Sequence, residues 1–298
     1  MTLKYFSCFS GIGAAELAIE SVFPNAICVG YSEIDDGALQ VYQHRFPKHK
    51  NYGDITKINI EKLPRFDLLI GGSPCQGFSS MNKNGRKGFK DKRSSLIHYI
   101  FEIIKVKKPP FFILENVASM SGSVKDTISR QLGFAPVAIN SKYVSAQHRS
   151  RVYWTNFTVP PLEQDIMEQC LKHILDPLKI SKNLPETNIT IKGVPLHKLF
   201  PTGKIPYAFH SLSHFFYEPR QDCKSGPVLT TLSTASVIWD GSKFRQLTPE
   251  EMEALQGFPK GWTNVGLTRT QRVKCIGNAF TVPTIIYILQ FLKLSILK

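Results

Sequence analysis

One cysteine of this chain stands where a nucleophile would be expected. Cys75 lies in the stretch Gly71–Ser79, GGSPCQGFS, directly after the apolar run Phe66–Ile70. That run reads as a buried strand, and open α/β sheets place their chemistry at the carboxyl ends of strands. A thiolate at such a position can add to an electron-poor carbon. A small buried hydrophobe would explain any one of the six cysteines, but the rest of a site follows Cys75 in order.

Acidic and basic side chains continue the pattern further along the chain. Glu115 follows the apolar run that starts at Phe111, so we expect it at the same sheet edge as Cys75. In an extended segment, alternation puts Gln147, Arg149 and Arg151 on one face. Arginines in that arrangement can hold a carboxylate and a phosphate together. A solvated edge strand would explain the arginines alone; their order after Cys75 and Glu115 favours a site.

A second group of residues indicates a nucleoside-bearing cofactor. Gly11 and Gly13 separate the first strand from a helix, which lets a ligand approach the backbone at the helix amino end. Glu33 follows at the end of the second strand, where an acid can bind both ribose hydroxyls, and Asp54 offers an acceptor for an amino group. Helix caps or turns would explain either carboxylate alone. Because a third glycine and a Walker lysine are absent, neither a dinucleotide nor a nucleoside triphosphate fits well.

The elements that must position these residues alternate between strand and helix patterns in the first half of the chain. Apolar runs such as Tyr5–Phe9 and Phe66–Ile70 read as strands, and Ser94–Lys107 carries apolar residues at helical spacing. This alternation predicts an α/β fold with a mostly parallel sheet. Residues 158–243 lack any sustained period, so we expect a catalytic and cofactor-binding domain from 1–157 and 244–298 and a separate lobe from 158–243.

Composition limits the classes of function. The net charge of +14 favours a polyanion as partner, although charge alone does not choose between DNA, RNA and simple solubility. The cysteines form no C-x-x-C pair, so neither a metal site nor a disulfide framework is expected. The amino terminus lacks the pattern of a signal peptide, which predicts an intracellular protein, cytoplasmic if prokaryotic and nuclear if eukaryotic. The apolar stretch Val282–Lys298 is short and carries Lys293, so we expect a buried helix and no membrane association.

Six motifs in order resemble those of the DNA cytosine C5-methyltransferases. They are GGSPCQGFS, FKDKRSSL at Phe89–Leu96, LENV at Leu114–Val117, QHRSR at Gln147–Arg151, RQLTPEEMEALQGFP at Arg245–Pro259, and GNAFTVP at Gly277–Pro283. Six independent motifs in the right order are not expected by chance. The chain departs from the family in having Ala14 where many members have a third glycine, and in its short variable lobe. Some stretches are similar to the animal de novo enzymes and others to bacterial enzymes.

The resemblance implies a fold, a cofactor and a partner. The fold would be the Rossmann-like fold of S-adenosylmethionine-dependent methyltransferases with a small target-recognition lobe. S-adenosylmethionine would be the methyl donor, S-adenosylhomocysteine the product, and double-stranded DNA the substrate. For cofactor binding the resemblance points to Phe9, Gly11, Gly13, Glu33, Ile34, Asp54, Pro74, Leu96, Asn278 and Ala279.

The resemblance also implies catalytic and DNA-binding roles. Cys75 would add to C6 of a cytosine flipped out of the duplex, and Glu115 would bind the base edge. Arg151 would orient Glu115, with Arg149 nearer the phosphate or the base. The basic stretch Ser79–Lys90 suits a loop that closes over the flipped nucleotide. The DNA-binding set comprises Gln76, Ser79, Lys83, Arg86, Lys87 and Gln147.

Three alternatives share parts of this pattern. A tRNA cytosine-5 methyltransferase has the same core, but its Cys-Phe-Thr signature is absent before Arg245. A non-catalytic binding module of this fold would be expected to have lost Cys75, Glu115 or the arginines, and all are present. An enzyme that acts on free nucleotides is disfavoured by the variable lobe and by the net charge of +14. The sequence leaves open the recognition site, a restriction endonuclease as partner, and the oligomeric state.

Overall fold

The computed structural model describes residues 2–75, 78, 88–91, 94–164, 166, 174, 190–191, 194–195, 208–213, 216–219, 224–230, 237–239 and 244–297. These residues form two compact units. The first comprises Met1–Asn140, Ser150–Leu162 and Thr284–Lys298, and the second Ser141–Arg149 and Glu163–Pro283. The boundaries of the compact units therefore differ from those of the predicted domains. The assignment of catalysis to one domain and of DNA recognition to the other stays a prediction.

A six-stranded sheet forms the centre of the first unit. Its strands are β1 (Lys4–Cys8), β2 (Ile27–Ser32), β3 (Leu68–Gly71), β4 (Phe111–Val117), β5 (Val137–Asn140) and β6 (Ser150–Thr155). They lie in the order β2-β1-β3-β4-β6-β5. The pairs β1–β2, β1–β3 and β3–β4 are parallel, and β6 runs antiparallel to both of its neighbours. The predicted α/β fold with a mostly parallel sheet is confirmed.

Helices follow the strands of the first unit, as expected for parallel connections. They are α1 (Ala14–Val22), α2 (Asp36–Arg45), α3 (Ile97–Lys107) and α4 (Gly122–Leu132). All four residues of β3 are buried, because a central parallel strand is covered on both faces. On α3, Ile97, Ile100 and Ile103 recur at helical spacing and pack against the same apolar core as β3 and β4.

Among its described residues, the second unit contains its own sheet and two helices. The strands are β7 (Thr190–Ile191), β8 (Val194–Pro195), β9 (Ala208–Ser213), β10 (Phe216–Pro219), β11 (Val237–Trp239) and β12 (Phe244–Gln246), and the helices are α5 (Pro249–Gln256) and α6 (Arg269–Asn278). Its strands lie in the order β12-β11-β9-β10-β7-β8. Sequence periodicity did not predict strands in residues 158–243, since several of these strands are too short to show alternation.

Local signals set the ends of the helices in the second unit. The Thr248 hydroxyl accepts a hydrogen bond from the Glu251 amide and the Glu251 carboxylate accepts one from the Thr248 amide, which forms a capping box at α5. Thr268 and Gln271 make the same arrangement at α6. Arg245 binds the Glu251 carboxylate through both guanidinium ends, at 2.7 and 2.8 Å, in a fully buried ion pair.

The last helix, α7, runs over Val282–Leu297. An 18-residue stretch within Arg269–Leu297 has a mean hydropathy of 1.7 and is long and apolar enough to cross a membrane, although the core helix of a soluble protein can have the same length and composition. On α7, Ile285, Ile288, Leu289 and Leu292 are fully buried, whereas Leu294 and Leu297 are exposed. One side of the helix is thus buried in the protein, and the expected lack of membrane association stays a prediction.

Candidate active site

The candidate nucleophile lies just beyond the carboxyl end of β3. Gly71 ends the strand, and a Cβ at that position would lie 2.8 Å from the Cys8 carbonyl oxygen, so only glycine allows this close approach to β1. Residues 72–75 continue without regular structure to Cys75, which is half-buried and packs against the apolar core. The Phe78 amide donates to the Cys75 carbonyl at 2.8 Å, and this bond starts a turn after the cysteine.

Glu115 and Arg151 form an ion pair on one face of the sheet. In the antiparallel register of β4 and β6, Val117 lies opposite Arg151 and Glu115 opposite Tyr153. Glu115 and Arg151 are therefore diagonal neighbours, which long side chains can bridge. Arg151 Nε lies 2.7 Å from Glu115 Oε1, with the two side chains 17% and 12% exposed. The arginine thus fixes the orientation of a carboxylate that still reaches solvent.

A residue to which the sequence assigned no role connects this pair to the cysteine loop. Asn116 is buried on β4, and its side-chain amide donates to the Ser73 carbonyl at 3.3 Å and to Ser73 Oγ at 3.2 Å. Ser94 Oγ donates to the carbonyl of Pro74, a predicted cofactor residue, at 3.4 Å. Asn116 therefore links the strand that carries Glu115 to the loop that carries Cys75. A buried asparagine in an otherwise apolar strand was the signal that could have identified it.

The structure corrects the prediction that Gln147, Arg149 and Arg151 share one extended face. Strand β6 begins only at Ser150, and Gln147 pairs instead with Ser225 in a short parallel bridge. Gln147 is fully buried, and its amide binds Leu255, Gln256 and Val228 within the second unit. Arg149 is 5% exposed and donates to the carbonyls of Val228, Gly277 and Ala279. Both side chains are used inside the protein, which argues against the DNA contact of Gln147 and the base or phosphate contact of Arg149.

The residues predicted to bind the cofactor begin at the carboxyl end of β1. Phe9 has a φ of 54°, a left-handed conformation that is strained for a residue with a side chain and is often found at functional sites. Gly11 and Gly13 also have positive φ values, 57° and 84°, which glycine adopts at no cost. A Cβ on Gly13 would lie 2.4 Å from the Phe46 ring. The backbone between β1 and α1 is therefore held in one unusual conformation.

Glu33 holds this turn together at the end of β2. Its carboxylate accepts hydrogen bonds from the amides of Gly11 at 2.8 Å, Ile34 at 2.7 Å and Asp35 at 2.9 Å. Ile34 beside it is 63% exposed, which is unusual for an isoleucine next to so many polar contacts. The Glu33 carboxylate provides a hydrogen-bond acceptor for a ribose, and the exposed Ile34 side chain provides an apolar contact surface for a base.

The remaining predicted cofactor residues lie in both units. Asp54 caps a short 3-10 turn, and the hydrogen bonds from the Thr56 amide and hydroxyl lower the pKa of its carboxyl. Leu96 ends the 3-10 turn before α3 and packs against the core of the first unit. Asn278 and Ala279 belong to the second unit, where Asn278 is exposed and Ala279 is buried. The DNA-binding residues predicted in the loop, Gln76, Ser79, Lys83, Arg86 and Lys87, lie outside the described residues.

A buried carboxyl on α1 lies close to this turn but faces the protein interior. Glu16 is fully buried and accepts a hydrogen bond from the Tyr42 hydroxyl at 3.0 Å. Desolvation raises the pKa of Glu16 to about 7, and burial also raises the pKa of the neighbouring Cys28 thiol to about 12.

Comparison with known proteins identifies the family. The family model described as "C-5 cytosine-specific DNA methylase" matches residues 3–293 of the 298-residue chain. The chain belongs to the C-5 cytosine-specific DNA methylase family. Its members are methyltransferases, and the family together with the fold implies S-adenosylmethionine as the methyl donor. The Glu33 carboxylate beside the exposed Ile34 side chain fits the ribose and adenine of that donor.

Individual relatives of this methylase cover the chain to different extents. It is 36% identical over 201 residues to the orphan methyltransferase M.Rho11sI of Bacillus phage rho11s, an alignment that spans 63% of this chain and 39% of the relative. It is 28% identical to the type II methyltransferase M.NlaX of Neisseria lactamica over 98% of this chain and 97% of that protein. The structure of the Entamoeba histolytica methyltransferase EhMeth superimposes with a TM-score of 0.74 and 18% identity, over 99% of both chains. That superposition confirms the methyltransferase fold.

Proposed function

We propose that this methylase transfers a methyl group from S-adenosylmethionine to C5 of a cytosine in double-stranded DNA through a covalent adduct at Cys75. The observation that carries the proposal is the Glu115–Arg151 ion pair, joined through Asn116 to the loop that bears Cys75. A nucleophile and an oriented carboxylate thus come from the ends of adjacent strands, as the chemistry of a flipped base requires.

Cys75 would activate the ring. Its thiolate would add to C6, which turns C5 into an enamine-like carbon that can accept a methyl group. S-adenosylmethionine supplies the electrophilic methyl group when bound. Loss of the C5 proton to a base and departure of the Cys75 thiolate from C6 would then restore the aromatic ring, so that atoms and charge balance.

Glu115 would hold the base while charge builds on it. Its carboxyl group would bind N3 and the exocyclic amino group, would supply a proton at N3 as Cys75 adds, and would take that proton back as Cys75 leaves. Arg151 Nε, 2.7 Å from Glu115 Oε1, would keep that oxygen in place, and Arg151 could also reach the base oxygen. The target must first leave the duplex, because C6 is inaccessible in stacked DNA, at a cost of a few kcal/mol.

Cofactor binding would use the turn between β1 and α1. Glu33 would exchange part of its backbone hydrogen bonds for the ribose hydroxyls, Ile34 would lie against the adenine, and Asp54 would accept from the adenine amino group. Asn278 would also contact the donor. The basic loop with Lys83, Arg86 and Lys87, together with Gln76 and Ser79, would contact DNA phosphates and close over the flipped nucleotide.

Two measurements test the reaction. Bisulfite sequencing of duplex DNA treated with the purified protein should show protected cytosines within a defined sequence context. Duplex DNA containing 5-fluorocytosine should trap the enzyme, because fluorine cannot leave C5 as a proton does. Intact-mass analysis that finds no adduct at Cys75, under conditions where normal DNA is methylated, would count against the covalent mechanism.

Substitution of the nucleophile separates chemistry from binding. The Cys75→Ser variant should bind S-adenosylmethionine as the wild type does but transfer no methyl group, since a neutral hydroxyl is a far weaker nucleophile. Cys275→Ser, at a buried cysteine of the second unit, serves as the control and should retain transfer. Methylation by Cys75→Ser at the wild-type rate would overturn the mechanism.

The alternative is a tRNA cytosine-5 methyltransferase of the same fold. The same protein incubated with labelled S-adenosylmethionine and either duplex DNA or tRNA decides between the two, since transfer to tRNA alone would reject the DNA proposal. The type II name of the Neisseria relative supports a restriction endonuclease as partner, and the orphan name of the phage relative supports the absence of one. Co-purification from the source cell, followed by a cleavage assay on unmethylated DNA, tests for that partner.

A further inference from the structure

A buried arginine joins two separate stretches of the second unit. Arg149 Nη1 donates to the Val228 carbonyl at 2.9 Å, and Nη2 donates to the carbonyls of Gly277 at 2.9 Å and Ala279 at 3.0 Å. The carbonyls of Gly277 and Ala279 lie where α6 ends, and the last carbonyls of a helix lack intrahelical donors. A cation at this end also complements the helix dipole. Only the planar guanidinium of arginine carries two terminal nitrogens that can bind these carbonyls at the same time.

Gln147 and Gln256 continue the network on either side of Arg149. The side-chain oxygen of Gln147 accepts from the Val228 amide at 3.0 Å, so both backbone groups of Val228 are bound by side chains. Gln256 donates to the carbonyls of Ile276 at 2.9 Å and Ala279 at 3.3 Å, and Gln147 donates to Gln256 Oε1 at 2.8 Å. Each member is buried, so these bonds do not compete with water.

The network presents one side chain to the outside. Asn278 is exposed, whereas the residues on both sides of it, Gly277 and Ala279, are buried and have their carbonyls bound by the same Arg149 nitrogen. A Cβ on Gly277 would lie 2.5 Å from the Leu229 carbonyl carbon, so the two stretches meet backbone to backbone. The backbone around Asn278 therefore has little freedom, and its side chain is exposed at a fixed helix end.

We propose that Arg149 is a positioning residue that holds the end of α6, Gly277–Ala279, so that Asn278 meets the methyl donor, and that it does not contact the base or a phosphate. This inference rests on the proposed function, in which Asn278 contacts S-adenosylmethionine. Arg149 and Arg151 are two residues apart in one motif, yet they affect different steps, donor binding and methyl transfer. Arg149 sets the affinity for the donor, and Arg151 sets the rate of transfer.

The two arginines provide a matched pair of variants. Arg149→Met should weaken S-adenosylmethionine binding at least tenfold, measured by calorimetry without DNA and corrected for the folded fraction, and should raise KM for the donor more than it lowers kcat. Arg151→Met should leave donor affinity within about twofold of the wild type and lower kcat at least a hundredfold. A purely structural role for Arg149 would lower thermal stability without moving the affinity of the folded protein.

A second variant decides the matter if Arg149→Met does not fold. Arg149→Lys keeps the charge but replaces the planar fork by a single ammonium, so it should restore folding while donor affinity stays several-fold below that of the wild type. Unchanged donor affinity in a folded Arg149 variant, together with a loss of kcat like that of Arg151→Met, would overturn the inference. Failure of the wild type itself to bind S-adenosylmethionine would instead overturn the proposed function.

Discussion

At the scale of single residues, two glutamates of the first unit have opposite environments. Glu33 follows β2 at the edge of the sheet and accepts hydrogen bonds from three backbone amides that the fold supplies. Glu16 is buried on α1, where desolvation is the largest influence on it and raises its pKa to about 7. One carboxylate is thus suited to bind a ligand, and the other affects stability.

Replacing Glu33 should weaken donor binding. Glu33→Ala removes the proposed ribose acceptor and releases the Gly11 amide, a loss on the order of 1.5–3 kcal/mol, or roughly 10- to 100-fold in Kd. Calorimetry with S-adenosylmethionine measures the change, and Glu61→Ala, at an exposed glutamate before β3, is the control. Equal affinity of Glu33→Ala and wild type would remove Glu33 from the site.

Replacing Glu16 should change how stability depends on pH. The folded-state pKa of about 7 lies above the ordinary glutamate value of 4.5, so the folded protein binds the proton more tightly, and stability falls as pH rises from about 4.5 to 7. Glu16→Gln keeps an acceptor for Tyr42 and carries no charge. We expect it to match the wild type near pH 4.5 and to exceed it by about 1–3 kcal/mol at pH 8.

Thermal unfolding of both proteins between pH 4.5 and 8 measures this difference. Glu20→Gln, an exposed position on the same helix, should show a smaller dependence. A wild-type stability that rises relative to Glu16→Gln with increasing pH would have the wrong sign and would refute the assignment.

At the scale of elements, the end of α6 packs closely against another stretch of the second unit. Arg149 and Gln256 bind its last carbonyls, and the backbone at Leu229 and Thr230 lies directly against Gly277. No side chain fits between them. In α4 of the first unit, by contrast, Gly122 has nothing within 4 Å of the position that a Cβ would take.

These two glycines therefore predict opposite effects of the same substitution. Gly277→Ala should destabilise the protein by about 1–3 kcal/mol, because the added methyl group must displace backbone. Gly122→Ala should be neutral or stabilise by up to about 1 kcal/mol through lower entropy of the unfolded chain. Urea denaturation of the two variants measures both changes, and equal free energies of unfolding would contradict the packing at Gly277.

At the scale of the whole molecule, the residues that set DNA affinity through charge should be separable from those that recognise the DNA sequence. The net charge of +14 favours a polyanion as partner, and on DNA it would act through phosphate contacts that carry no sequence information. The predicted recognition lobe, residues 158–243, would read base edges in the major groove. Neither set of residues takes part in the proposed chemistry at Cys75.

Two changes distinguish these contributions. Replacing Lys83 and Lys87 with glutamine should lower affinity for every DNA sequence and reduce the salt dependence, by about one unit of slope for each phosphate that is no longer neutralised. Exchanging the lobe for that of a relative should redirect which cytosines are methylated, as read by bisulfite sequencing. Lys105→Gln with Lys108→Gln, two exposed positions at the carboxyl end of α3, forms the control for charge.

Each part of this prediction has a result that would contradict it. A loop variant that changes the methylated sequence would contradict it, and so would a lobe exchange that leaves that sequence untouched.

Short motifs with apolar flanks determined much of this protein from the sequence alone. The run Phe66–Ile70 predicted a buried strand, and the structure places β3 at Leu68–Gly71, shifted by two residues at its start. The family resemblance implied that Arg151 orients Glu115, and in the structure Arg151 Nε lies 2.7 Å from Glu115 Oε1.

Only the tertiary structure decided what Gln147, Arg149 and Asn116 do. The sequence analysis assumed an extended strand over the whole of Gln147–Arg151, whereas β6 begins at Ser150. The local sequence pattern does not show at which residue a strand begins. The partners of Arg149 lie 79 to 130 residues away in sequence, so its burial against Val228 and Ala279 depends on long-range packing. The type of side chain sets which bonds a residue can make, and the fold sets whether its partner is the substrate or the protein.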